Sequence, residues 1–70
     1  MSIDTRKDRL LDRIICEYLE MPGLMLSLDQ ARRLWMLERE ETLVLLSELV
    51  ETGFLRLTRD GLFVRAVARP

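Results

Sequence analysis

Nucleophilic catalysis needs a hydroxyl or thiol beside a base. The hydroxyls Ser2, Thr5, Ser27, Thr42, Ser47, Thr52 and Thr58 and the thiol of Cys16 are present, but the chain contains no histidine. A triad-type nucleophile therefore lacks a general base, and the expectation is a protein that is not an enzyme. One cysteine forms no internal disulfide, and without histidine there is no Cys/His cluster for zinc, so neither a metal nor a cofactor is expected. In helical projection Cys16 lies opposite Leu11 and Tyr18, the position of an incidental surface thiol.

What remains is recognition by charge. Arg32 and Arg33, the later Arg56, Arg59 and Arg65, and the tail residue Arg69 form the concentrated basic set, suited to a phosphate or an acidic partner. A two-residue turn at Asp60-Gly61 would set Arg56 opposite Arg65, a like-charge pair that an anion would relieve; a three-residue loop with a bulge at Gly61 would set Leu57 opposite Phe63 and separate the two arginines. The acidic counterpart is Glu40, Glu48 and Glu51, spaced around Val44. Residues 38 to 53 hold one basic and five acidic groups, a sum of minus four, whereas residues 54 to 70 hold four and one, a sum of plus three. The total of minus one removes the simplest argument for binding nucleic acid or a membrane surface.

The apolar periodicity predicts the elements that position these charges. Leu10, Leu11, Ile14, Ile15, Tyr18 and Leu19 recur at spacings of three and four, predicting a first helix from about residue 4 to 20 that Met21-Pro22-Gly23 ends. After the brief apolar run Leu24-Met25-Leu26, Ser27 followed three residues later by Gln30 matches a capping box. It opens a short helix, about 28 to 35, with Leu28, Ala31, Leu34 and Trp35 turned inward. A third helix, about 39 to 52, places Thr42, Leu43, Leu45, Leu46, Leu49 and Val50 on a broad buried face, with Gly53 as its C-terminal cap. The period then shifts to two, predicting strands at about 54 to 58 and 62 to 66 around Arg59-Asp60-Gly61.

Seventy residues, 49% apolar and 33% charged, are enough for one small domain with a core and no second domain. The opening Met1 to Asp12 is charged, and no apolar run approaches the roughly 18 residues of a membrane span, so a cytoplasmic protein without a membrane partner is expected.

Two helices across a short turn, followed at once by a hairpin, make this mainly α chain with a small β-hairpin, an α+β class, resemble a three-helix winged helix-turn-helix domain of the small bacterial kind. The resemblance rests on Leu28-x-x-Ala31-x-x-Leu34, Leu37, Leu46-x-x-Leu49-Val50, Gly53-Phe54-Leu55 and Asp60-Gly61-Leu62-Phe63, spanning about residues 26 to 66. It implies transcription regulation, with the third helix in the major groove of double-stranded DNA and the wing on the flanking backbone. This sequence departs from the family pattern at Met36, where glycine is frequent, and at Glu38, where a shorter cap is usual.

Two functional expectations follow. In the first, DNA is contacted through the wing and the arginines Arg32, Arg33, Arg39, Arg56, Arg59 and Arg65. In the second, Glu40, Val44, Glu48 and Glu51 make the acidic third helix a docking surface for a protein partner or a homodimer.

Overall fold

The computed structural model of the chain describes residues 5–66, so Asp4 and Arg69 lie outside the described residues. Three helices, α1 (Thr5–Glu20), α2 (Leu28–Leu34) and α3 (Arg39–Glu51), combine with a small antiparallel sheet of β1 (Leu26–Ser27), β2 (Leu55–Leu57) and β3 (Leu62–Arg65). The fold is α+β. The sheet order is β1-β3-β2, which makes the last strand the central one. None of the described helices is long and apolar enough to cross a membrane.

Each element starts and stops for a local reason. Ser27 caps α2 as the sequence predicts: its Oγ accepts from the Gln30 backbone N–H at 3.1 Å, and its own N–H donates to Gln30 Oε1 at 2.9 Å. At the other end of α2 the Leu37 N–H reaches the Arg32 carbonyl at 2.9 Å and the Met36 N–H reaches Arg33 at 3.4 Å. This Schellman pattern requires a left-handed residue, and Met36 occupies it at φ 54. α3 ends the same way, with Phe54 to Leu49 at 2.9 Å and Gly53 to Val50 at 3.1 Å, but there the left-handed residue is a glycine at φ 88.

The hairpin adopts the three-residue loop. Gly61, at φ 85, donates to the Thr58 carbonyl at 3.0 Å, and Thr58 donates to Leu62 at 2.8 Å. Leu57 is therefore paired with Phe63, Arg56 with Val64 and Leu55 with Arg65. The short apolar run ahead of α2 gains a role as well, since β1 pairs Leu26 with Phe63.

The core joins Ile14 and Tyr18 of α1, Ala31, Trp35 and Leu37 of the α2–α3 corner, Leu45, Leu46 and Leu49 of α3, and Leu55 and Phe63 of the sheet. Thr42 is also wholly buried, its hydroxyl donating to the Glu38 carbonyl at 2.7 Å. Trp35 fills the core although its indole N–H has no hydrogen-bond partner there. The inward assignments of Leu34 and Leu43 need correction, because these side chains are 48% and 45% exposed, and Leu19 and Leu57 are exposed as well. A domain this small buries only a narrow stripe of each element. Leu43 lies at the margin of the stripe centred on Thr42, Leu45, Leu46 and Leu49, and Leu57 sits on an edge strand.

Tyr18 ties α1 to the sheet. Its hydroxyl donates to the Phe63 carbonyl at 2.8 Å, and its ring meets Phe54 edge to face at 6.4 Å. Burial pushes the phenol from its ordinary 10.0 up to about 12. Because the folded chain holds this proton more tightly than the unfolded chain, its contribution is complete below pH 10 and is lost as pH rises toward 12. Urea unfolding followed through that window should show a loss on the order of 2 to 3 kcal/mol that disappears in Tyr18→Phe.

The left-handed position of Met36 gives a second test. A side chain at positive φ costs roughly 1 kcal/mol relative to glycine. Met36→Gly should therefore raise the thermal midpoint by several degrees, whereas Gly53→Ala should lower it.

Candidate interaction surface

The α3 helix offers two exposed or half-exposed aspects. The first faces α1. Residues four apart on a helix share one side, and here Glu40, Glu41, Val44 and Leu45 line a cleft with Arg6, Lys7 and Leu10. The cleft encloses about 250 Å³. Two ion pairs join α1 to α3 beside it, Arg6 with Glu41, and Lys7 Nζ with Glu48 Oε1 at 2.7 Å. The first turn of α1 thus crosses α3 between these two glutamates. Such partly exposed pairs contribute little stability individually, but they neutralise half of the four glutamates on α3.

The second aspect points to solvent. Arg39, Glu40, Leu43, Val44, Ser47 and Glu51 are all exposed. Leu43 is 45% and Val44 55% exposed, so the acidic helix carries an apolar centre on its outer side. Of the glutamates expected at a docking surface, Glu40 and Glu51 lie here. Glu48 is half-buried in its pair with Lys7.

The expected basic set is dispersed. Arg65 is paired with Leu55 on one face of the sheet, and Arg56 with Val64 on the other. The Arg65 guanidinium lies 4.1 Å from the Phe54 ring centroid, and its Nη1 donates to the Phe54 carbonyl at 2.8 Å. Arg32 Nε lies 3.3 Å from Asp29 Oδ1, and Arg39 Nη1 approaches the same oxygen at 3.9 Å. Asp29 therefore brings together one arginine from α2 and one from α3. Arg33, Arg56 and Arg59 are exposed on α2, β2 and the hairpin turn respectively.

Sequence reasoning missed the α1 cations. Arg6 and Lys7, in the first turn of α1, reach across to α3. The seven-residue spacing of Glu41 and Glu48, two turns of one helix side, is the signal that marks where a crossing helix could meet them. Asp29 and Arg32 have the three-residue spacing of a helical ion pair, whereas the approach of Arg39 to Asp29 has no comparable signal. Among the described residues, no group of three or more Cys, Asp and Glu could hold a metal ion. Comparison with protein-family models, curated proteins and solved structures gives no match to this chain.

The two hairpin arginines Arg56 and Arg65 should separate by role. Arg65→Ala removes a cation from an aromatic face together with a charged hydrogen bond, and should lower unfolding stability by about 1 to 3 kcal/mol. Arg56→Ala should stay within about 0.5 kcal/mol of the parent in the same urea titration.

Proposed function

We propose that this chain is a winged helix-turn-helix domain whose working surface is the outward side of α3, and that it docks a protein rather than DNA. Two helices across a four-residue corner, followed by a β-hairpin, support the winged-helix part of this reading.

The docking part is carried by one observation, the composition of the exposed side of α3. Leu43 and Val44 stand at its centre with Glu40 and Glu51 beside them. A helix reading base edges lies among phosphates, which repel exposed carboxylates. An apolar centre with a charged rim is instead the anatomy of a protein contact. The arginine inventory agrees in part, because Arg65 is engaged with Phe54 and Arg32 with Asp29. The partner chemistry that fits is an apolar ridge bearing a cation to meet the α3 carboxylates.

Mixed-sequence duplex DNA, titrated at low salt where screening is weakest, should show no binding. The double variant Glu40→Gln/Glu51→Gln, which removes two exposed negative charges, should not create any. Duplex binding that tightens in this variant would overturn the docking reading.

A further inference from the structure

We infer that the partner of α3 is a second copy of the same chain, packed antiparallel through the ridge Arg39, Leu43, Ser47 and Glu51. This rests on the docking reading of α3 and names its partner. Side chains four apart form a continuous ridge on a helix, and all four of these residues are exposed. The ridge is self-complementary when reversed. Opposite an antiparallel copy, Arg39 meets Glu51 and Leu43 meets Ser47, and two-fold symmetry makes each contact twice. The small Ser47 leaves room for the leucine of the other copy.

Charge on the rest of α3 permits this approach. Between Glu38 and Glu51 the helix and its cap carry six charged groups. Glu41 and Glu48 are matched within the chain by Arg6 and Lys7. Arg39 and Glu51 are matched across the two-fold axis, and the ion pair Arg39 makes among the described residues is the long 3.9 Å approach to Asp29. Glu38 and Glu40 are left as the acidic rim. A helix of 13 residues presents a ridge about 20 Å long. That is short for a stable interface, so the dimer is weak and concentration-dependent.

Sedimentation equilibrium of the intact chain, from roughly 10 μM to 1 mM, tests this directly. The apparent mass should rise from 8.3 kDa toward twice that value. Arg39→Glu and Glu51→Arg should each weaken the dimer about tenfold or more, since each places like charges in two symmetric contacts. The combined Arg39→Glu/Glu51→Arg variant should restore it, because the pairs reform with reversed sign. Leu43→Asp should abolish it and Glu40→Gln should tighten it. All these positions are exposed, and thermal melts verify that each variant folds. A chain that stays monomeric throughout overturns the self-association, and if it also leaves duplex DNA unbound, docking of a different protein on α3 stands. A dimer indifferent to both single reversals, or not rescued by the double one, also overturns it.

Discussion

Tyr18 is wholly buried yet carries a hydroxyl, and a hydroxyl removed from water must find an acceptor or destabilise the fold by about 1 to 3 kcal/mol. The acceptor is the backbone carbonyl of Phe63 on the central strand, so the requirement fixes both the position of β3 along α1 and the depth at which the sheet packs. The same ring sets the orientation of Phe54, which lies edge to face with it, and Phe54 in turn carries the Arg65 guanidinium. One phenol therefore orders helix, sheet and the base of the hairpin, and its burial there raises its pKa.

Several of the charges in this protein serve internal geometry. Lys7 and Arg6 hold the start of α1 across α3, Asp29 gathers Arg32 and Arg39 at the corner of α2 and α3, and Arg65 covers an aromatic ring. A sequence-level sum treats all of these as surface potential. With them assigned, the exposed side of α3 is an apolar patch with an acidic rim, and the hairpin loses the paired arginines that would have gripped an anion.

Most of the architecture was legible because it depends on local rules. Apolar spacing located three helices, Ser27 and Gln30 marked the start of α2, and Asp60-Gly61 marked the hairpin. The buried set Trp35, Leu46, Leu49 and Leu55 follows from the same periodicity. The losses occur where a decision depends on distant neighbours. Leu43 and Leu57 have the right period for burial, yet no other element extends far enough to cover them. The hairpin register turned on whether Thr58 pairs with Leu62 or Phe63, a choice of one residue that reverses which side chains share a face. The candidate site was half legible: Glu40, Val44 and Glu51 are exposed on α3, while the partners of Glu48 and Arg65 come from segments that no local pattern connects to them.

The strand order has a consequence for how the molecule comes into being. β3 lies between β1 and β2, so residues 62 to 65 supply ladder partners to a segment more than thirty residues earlier and the carbonyl that Tyr18 requires. Until those residues emerge from the ribosome, β1 has no neighbour and the phenol no acceptor. The helices made first lack the ladder partner and the hydrogen-bond acceptor of the native structure, so folding is completed only after synthesis has passed the hairpin.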